Sequence, residues 1–179
     1  MTHHSTKTII LAASKGTRLK KYASDKPKGM LKFGKHSLIE RQVEHFRQIG
    51  IRDISIVRGY KGHKIDLPNI TYFENKEYDS SNMLVSLFTA RSKMEADTIV
   101  SYGDILFREK TVRELVDLDA DVSIAVDSMW KERYSSRTLE DINRSEKVII
   151  SGGKMLGSGS DISMETANAE FIGLLTLKP

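Results

Sequence analysis

The stretch that decides the fold reads Thr8-Ile9-Ile10-Leu11-Ala12-Ala13-Ser14-Lys15-Gly16-Thr17-Arg18-Leu19. An apolar run, residues 7–13, passes directly into small residues, a glycine and an arginine. Such a run is typical of a strand buried on both faces of a parallel sheet. Small side chains let a ligand approach the backbone closely, and glycine permits the sharp turn that aims N–H groups at an anion. The loop after the strand is therefore predicted to bind phosphate groups.

Positive charge is concentrated around this loop. Between positions 15 and 35 the only acidic residue is Asp25. The bases in that range are Lys15, Arg18, Lys20, Lys21, Lys26, Lys28, Lys32 and Lys35. Over the whole chain, 28 basic and 24 acidic side chains leave a net charge of only +4, so the local concentration matters more. We expect a nucleoside triphosphate as the ligand and not nucleic acid, because few aromatic residues interleave these bases.

Length and composition set the broad class. A chain of 179 residues is long enough for one domain with a substantial core, so a single domain over residues 1–179 is expected. No apolar stretch approaches the roughly 18 residues needed to span a bilayer, so no membrane partner is expected. The absence of cysteine excludes disulfides and thiolate metal sites and fits a cytoplasmic enzyme. A homodimer stays open at this stage.

Strand and helix patterns alternate along the first two-thirds of the chain. Strands are predicted at 53–58, 70–73, 98–102 and 121–127. One helix is predicted from a capping box of Ser37 and Glu40 to Gly50, a second over 82–94, and a third from a capping box at Thr111 to about Asp117. This alternation predicts an α/β fold with a doubly wound, mostly parallel sheet flanked by helices.

The last third is less regular. Strands are predicted at 147–151 and 171–177, joined in part by a glycine- and serine-rich connection over 152–163. The chain stops at Pro179, directly after the last strand, where a covering helix is expected. The sequence is therefore expected to lack its carboxyl-terminal segment.

Gly103-Asp104 follows a predicted strand at the edge where ligands bind in open α/β sheets. Magnesium typically takes one or two carboxylates plus phosphate oxygens, so Asp104 is a candidate metal ligand, while a plain turn is the alternative. Familiar alternatives are excluded. The sequence lacks G-x-x-x-x-G-K-[ST], G-x-G-x-x-G and G-x-S-x-G, which argues against a P-loop, a dinucleotide fingerprint and a serine hydrolase.

Residues 11–19 together with Lys26-Pro27-Lys28 resemble the signature of the nucleotidyltransferases that make NDP-sugars and CDP-alcohols. The likeness continues through 38–42, 50–54, 57–62, 75–87 and 102–104. Within that superfamily the chain is similar to phosphocholine and aminophosphonate cytidylyltransferases. The pointers for this narrower resemblance are residues 27–31, 78–83, 152–154 and 171–175, and Trp130 followed by Tyr134 and Arg137.

The resemblance implies a Rossmann-like nucleotidyltransferase fold and transfer of a nucleotidyl group, with CTP as the expected donor and pyrophosphate as the product. Phosphocholine and 2-aminoethylphosphonate are the expected types of acceptor. By resemblance, Arg18 holds the departing pyrophosphate, Lys28 bridges the α-phosphate and the acceptor phosphate, and Asp104 binds Mg²⁺. The implied nucleotide-binding residues are Leu11, Ala12, Ala13, Ser14, Lys15, Gly16, Thr17, Ser81, Asn82 and Gly103.

The implied acceptor-binding residues are Trp130, Tyr134, Arg137 and Glu170. Trp130 and Tyr134 have two interpretations: an aromatic face for an ammonium group, or core or dimer packing. Asn82 likewise fits a contact to the base or ribose and, equally well, the N-cap of a helix.

Two positions depart from the family pattern. Ser14 stands where glycine is usual, which the loop tolerates if φ at Ser14 is negative. The family's second metal-binding aspartate lies in a carboxyl-terminal segment, and Asp127 and Asp161 are the nearest candidates here. Two other functions therefore stay open: a sugar-1-phosphate nucleotidyltransferase using UTP or dTTP, and a non-catalytic nucleotide-binding module.

Overall fold

The computed structural model describes residues 5–16 and 25–179. These residues form two compact units. The first contains the described residues up to Ser123 together with Leu175–Pro179, and the second is Ile124–Leu174.

The first unit is built on a parallel sheet. Its strands are β1 (Lys7–Ala12), β4 (Asp53–Arg58), β5 (Thr71–Glu74) and β6 (Thr98–Tyr102), in the spatial order β5-β4-β1-β6. Every neighbouring pair in this order is parallel. β1 lies between β4 and β6, and its residues Ile9 and Ile10 point to opposite faces yet are both completely buried. The predicted parallel sheet and its central first strand are confirmed.

Helices cover both faces of this sheet. Helix α1 (Leu38–Gln48) follows the short hairpin of β2 (Lys32–Phe33) and β3 (His36–Ser37), and α2 (Met83–Thr89) precedes β6. On β6, Ser101 bonds to a side chain of α1, whereas its neighbour Val100 packs in one apolar cluster with Leu87 of α2. Because successive strand residues point to opposite faces, α1 and α2 lie on opposite sides of the sheet. The doubly wound arrangement is confirmed.

The capping box that opens α1 is confirmed. The Ser37 hydroxyl accepts from the backbone N–H of Glu40, and the Glu40 carboxylate accepts from the N–H of Ser37. Hydrogen bonding to Ser37, first to its backbone N–H and then to its side chain, lowers the pKa of the Glu40 carboxyl and favours its charged form. Gly50 follows the helix with φ of +95°, as expected for a glycine after a helix end.

The predicted start of α3 is wrong. Helix α3 spans Glu109–Val116, its N-cap is Arg108, and Thr111 lies inside it. The i,i+4 ion pair between Glu109 and Arg113 stabilises the first turn of the helix, which contains Thr111, and an acidic residue in that turn also suits the helix dipole. With these interactions the N-cap lies at Arg108, three residues before Thr111.

The second unit carries antiparallel strands. β7 (Val122–Asp127) begins in the first unit and continues into the second. It is followed by α4 (Trp130–Tyr134), α5 (Leu139–Asn143), β8 (Lys147–Ser151), β9 (Lys154–Gly159) and β10 (Ala169–Leu177). β8 pairs antiparallel with β9 and with β10. The end of β10 belongs to the first unit, where Leu175 and Leu177 pack on the α2-side cluster.

The glycine- and serine-rich connection predicted over 152–163 contains a further strand, β9, that the sequence did not indicate. Gly152 and Gly153 both have positive φ, +56° and +75°, as a two-residue hairpin turn requires. Among the described residues no helix is both long and apolar enough to cross a bilayer; α1 is the longest, with 11 residues.

Candidate nucleotidyltransferase site

The loop that follows β1 is fixed by its neighbours. Ala13 is buried, and its carbonyl oxygen accepts from the N–H of Tyr60, 2.9 Å away, at the end of β4. Ser14 and Lys15 are exposed beyond it. Ser14 is not among the described non-glycine residues with positive φ, so serine is accommodated here as the sequence required. The loop therefore leaves its strand in a defined direction with small side chains at its base.

Gly16 connects this loop to Lys28. Its φ is +64°, in the left-handed region that favours glycine, and a Cβ there would lie 3.1 Å from Cβ of Lys28. A side chain at position 16 would therefore be strained and would press on Lys28. The predicted nucleotide loop and the predicted catalytic lysine are brought together by the fold.

Lys28 opens a 3-10 turn over Lys28–Met30, and its Nζ donates to Oδ2 of Asp104 as an ion pair. Both side chains are about 28% exposed, so the pair is accessible to a ligand. Asp104 follows β6 as predicted. An ammonium and a carboxylate thus meet beside the first loop, at the carboxyl ends of two adjacent parallel strands, where open α/β sheets bind ligands.

Gly29 allows this meeting. It is buried, and a Cβ built on it would lie 2.6 Å from the carbonyl oxygen of Gly103 and 2.6 Å from Cδ1 of Ile39. The turn that carries Lys28 therefore packs directly on the backbone of the residue before Asp104. Gly103 is tied in turn to β1, because its N–H donates to the carbonyl of Leu11 at 2.9 Å.

Of the other residues predicted to bind the nucleotide, some lie at the buried end of β1 and others lie outside the described residues. Leu11 contributes its side chain to the core, so only its backbone is available near the site. Ala12 is buried beside Gly103. Thr17 and Arg18 lie outside the described residues.

Ser81 and Asn82 end a loop organised by Asn75. The buried Asn75 donates from Nδ2 to the hydroxyls of Ser81 and Ser86, both at 2.9 Å, and accepts from the N–H of Glu77. Asn82 is the N-cap of α2, since its Oδ1 accepts from the N–H of Val85 at 3.1 Å. The N-cap interpretation of Asn82 is confirmed, and its contact to a nucleotide stays a prediction.

The acceptor-binding predictions all lie in the second unit. Trp130 is completely buried and packs edge-on against Tyr134, with ring centroids 5.7 Å apart. Complete burial fits the packing interpretation of Trp130. The hydroxyl of Tyr134 donates to Oε1 of Glu170 at 2.6 Å, and Arg133 donates to the other oxygen. Arg137 follows α4 and donates its backbone N–H to Tyr134.

The charged groups around Tyr134 are paired with one another, because Arg133 forms ion pairs with both Glu170 and Asp127. Arg133 also donates to Asp127, one of the two candidates for a second metal ligand, so that carboxylate is occupied by a guanidinium. Burial, and then the hydrogen bond to Glu170, raise the pKa of Tyr134 to about 12. The phenol therefore stays a proton donor to Glu170 over the physiological range.

Metal ligands are sparse in the described part of the chain. No group of three or more histidine or acidic side chains lies close enough to hold an ion there. A site built on Asp104 therefore fits only a metal that takes most of its oxygen ligands from phosphates and water, which is the habit of magnesium.

Two residues of this region were missed by the sequence predictions. Gln42 and Asn75 are both buried, and each is hydrogen-bonded to loops that carry predicted site residues. Gln42 had a usable signal, because it lies on the apolar stripe of α1 with Ile39, Val43 and Phe46.

Known proteins resemble the chain in sequence and in fold. The chain is 29% identical to the CTP:phosphoglutamine cytidylyltransferase of Campylobacter jejuni, over 93% of this chain and 70% of that protein. It is 31% identical to the choline-phosphate cytidylyltransferase of Streptococcus pneumoniae, over 57% of this chain and 46% of that protein. The inositol-1-phosphate CTP transferase from T. maritima shares the fold with a TM-score of 0.78 and 22% identity, over 98% of this chain and 71% of that one.

The family model of the MobA-like NTP transferase domain matches residues 8–153, a range that includes all of β1 but its first residue, the Lys28 turn and Asp104. By that match, and by the fold just described, the chain belongs to the MobA-like NTP transferase family, a family of nucleotidyltransferases.

Proposed function

We propose that this chain transfers a cytidylyl group from CTP to a small phosphate or phosphonate, such as phosphocholine or 2-aminoethylphosphonate, and releases pyrophosphate. The observation that carries the proposal is the Lys28–Asp104 ion pair beside the Gly16 loop. The family match and the two cytidylyltransferase relatives support CTP as donor and a phosphorylated small molecule as acceptor.

The chemistry needs no general base on the protein. An acceptor oxygen attacks the α-phosphorus of CTP, a new P–O bond forms, and the bond to the bridging oxygen of the β-phosphate breaks. The leaving group is pyrophosphate. A phosphate monoester has a second pKa of about 6 and is already largely ionised at neutral pH, so the attacking oxygen carries its own charge. Catalysis then consists of positioning and charge stabilisation.

Lys28 supplies the positive charge for this step. Its ammonium is a compact charge on a flexible stem, so it can leave Asp104 for phosphate oxygens without movement of the backbone. In this proposal it contacts the α-phosphate and the acceptor phosphate. Arg18, outside the described residues, holds the pyrophosphate.

Asp104 would hold magnesium. Its single carboxylate fits a metal bound mainly through phosphate and water oxygens, and the ion would supply neutralisation of phosphate charge. Release of Lys28 to the phosphates would free Oδ2 of Asp104, the oxygen that Lys28 binds here, for that role.

The predicted acceptor residues keep that role in this proposal. Tyr134 and Arg137 would contact the acceptor, while Glu170 orients the Tyr134 hydroxyl and the buried Trp130 supports its ring. An ammonium group against such a ring gains about 0.5–2 kcal/mol.

The test is pyrophosphate release with and without Mg²⁺ from CTP, UTP, ATP and dTTP. The acceptors are phosphocholine, phosphoethanolamine, 2-aminoethylphosphonate, phosphoglutamine and a hexose 1-phosphate. We expect release with CTP and an amine-bearing acceptor. Lys28→Met and Asp104→Asn should each reduce it by about a hundredfold or more. Lys35→Met, which removes an exposed lysine from the same basic segment, is the matched control and should retain full activity.

Two other outcomes would replace the proposal. Release only with the hexose 1-phosphate and UTP or dTTP would assign the sugar-nucleotide reaction. A CTP-induced rise in melting temperature that Asp104→Asn leaves unchanged, without release from any pair, would assign a binding module.

A further inference from the structure

Gln42 is a polar side chain in an apolar position. Its helical neighbours Ile39, Val43 and Phe46 are core residues, and Gln42 itself is only 1% exposed. A buried amide is unfavourable unless its donors and acceptor are paired. The pairing that the fold provides therefore indicates what Gln42 does.

Both donors of the Gln42 amide go to one short segment. Nε2 donates to the carbonyl oxygen of Tyr102 and to that of Ile105, each at 2.9 Å. Oε1 accepts from the hydroxyl of Ser101, also at 2.9 Å. A glutamine amide has two N–H donors, and both are used here.

The two carbonyls flank Gly103 and Asp104. β6 ends at Tyr102, and beyond it the N–H of Gly103 still donates to the carbonyl of Leu11 in β1. The NH₂ group of Gln42 bridges the carbonyl of Tyr102, just before Gly103-Asp104, and the carbonyl of Ile105, just after it. The segment that presents the Asp104 carboxylate is thereby fixed to α1 on both sides.

We propose that Gln42 is a positioning residue for Asp104, acting through the backbone of residues 102–105. This inference rests on the proposed function, in which Asp104 holds the metal. Gln42 does not touch the reacting atoms. It restricts the carboxylate to one place, and misplacement of a catalytic group by about 1 Å can lower a rate by about a hundredfold.

The test compares Gln42→Met with Val43→Ala. Methionine has a similar length and no amide, so it fills the space and removes the clamp. Val43→Ala truncates the neighbouring buried residue of α1, lowers stability, and leaves the Gln42 amide and its hydrogen bonds to Tyr102 and Ile105 in place. Cytidylyl transfer is measured at saturating CTP over a range of Mg²⁺ concentrations, and amide hydrogen exchange is measured on the free protein.

For Gln42→Met we expect kcat to fall at least tenfold and the Mg²⁺ concentration for half-maximal rate to rise several-fold, with the acceptor KM within twofold. Exchange at residues 103–105 should accelerate at least tenfold relative to exchange in β4. Val43→Ala should lower the melting temperature while kcat, the Mg²⁺ response and that exchange ratio stay unchanged. Ser101→Ala removes the bond to Oε1 but leaves both amide donors, and it should retain kcat within twofold.

A Gln42→Met protein that behaves like Val43→Ala, with lower stability and an unchanged exchange ratio and Mg²⁺ response, overturns the inference. Absence of transfer by the wild-type protein is a different result. It removes the proposed function and the catalytic consequence of Gln42, while the exchange ratio still establishes or refutes the clamp.

Discussion

Replacement of Gly29 by alanine tests whether close backbone contact holds the candidate site together. The added Cβ would lie 2.6 Å from the carbonyl oxygen of Gly103, whereas an ordinary contact begins at 3.4 Å. The two segments must therefore separate by about 0.8 Å, because a carbonyl oxygen of the backbone cannot turn away as a side chain can. Cδ1 of Ile39 is also 2.6 Å from the added Cβ, so this completely buried side chain must shift as well.

This displacement acts directly on Lys28 and Asp104, which flank the contact in sequence. A shift approaching 1 Å corresponds to a fall in kcat/KM on the order of ten- to a hundredfold. Overpacking of this kind also lowers the free energy of unfolding by about 1–3 kcal/mol. Both quantities are measurable on one preparation, by pyrophosphate release well below the melting temperature and by urea unfolding.

Gly157→Ala is the matched control. Its added Cβ meets nothing closer than 3.9 Å, and its φ is not positive, so activity and stability should stay at wild-type values. Wild-type kcat/KM in Gly29→Ala would refute the reasoning, since it would show that the turn and the Gly103 backbone separate without consequence for the charges they carry.

Three further predictions concern stability. Ser37→Ala removes the N-cap bond to Glu40 and should lower the free energy of unfolding by about 1 kcal/mol, and a double-mutant cycle with Glu40→Ala measures the coupling in urea unfolding. Tyr134 has a folded-state pKa of about 12 against 10 when unfolded, so its contribution is complete below pH 10 and is lost as the pH rises towards 12. Tyr134→Phe should flatten the loss of stability over that window, and an unchanged slope would contradict the assignment. Lys147→Met removes the buried ammonium that donates to the carbonyl of Ser160 at 2.7 Å and should lower the free energy of unfolding by roughly 1–3 kcal/mol, whereas Lys154→Met, at an exposed position of β9, should not.

The parallel sheet was predictable because its signals are long and local. β1 is a continuous apolar run, and α1 has a capping box, an apolar stripe and a terminal glycine that agree with one another. When several independent local signals agree in this way, the secondary structure of a segment can be predicted from its sequence.

The errors arose where one short pattern was taken alone. The Thr111 capping box fits the sequence, but the Glu109–Arg113 pair and the buried face of α3 extend the helix past it. The hairpin of β8 and β9 was missed although Gly152-Gly153 is a recognised two-residue turn, because β9 itself is rich in glycine and serine and carries little strand signal.

The charged members of the candidate site were predictable and their supports were not, for one physical reason. Lys28 and Asp104 are partly exposed and chemically distinctive, so charge pattern and strand ends identify them. Gly29 and Gln42 are buried and resemble ordinary core or turn positions until the contacts across 74 and 63 residues of chain, to Gly103 and Ile105, are known. Periodicity marks Gln42 as a polar residue on the apolar stripe of α1, but it contains no information about the long-range partners of Gln42 and Gly29.

This division of roles has a consequence for how substitutions act. A reaction that depends on positioned charges is sensitive to the backbone beneath them as well as to the charges themselves. Lys28→Met removes a charge. Gly29→Ala and Gln42→Met keep every charge but displace the backbone that carries Lys28 or Asp104. The first kind of variant should lose rate even if its fold is unchanged, and the second should lose rate only as far as residues 28–30 or 102–105 are displaced. Lys28→Met should therefore lose activity while hydrogen exchange at residues 28–30 and 102–105 stays at wild-type rates. Gly29→Ala and Gln42→Met should lose activity in proportion to the acceleration of exchange in those segments.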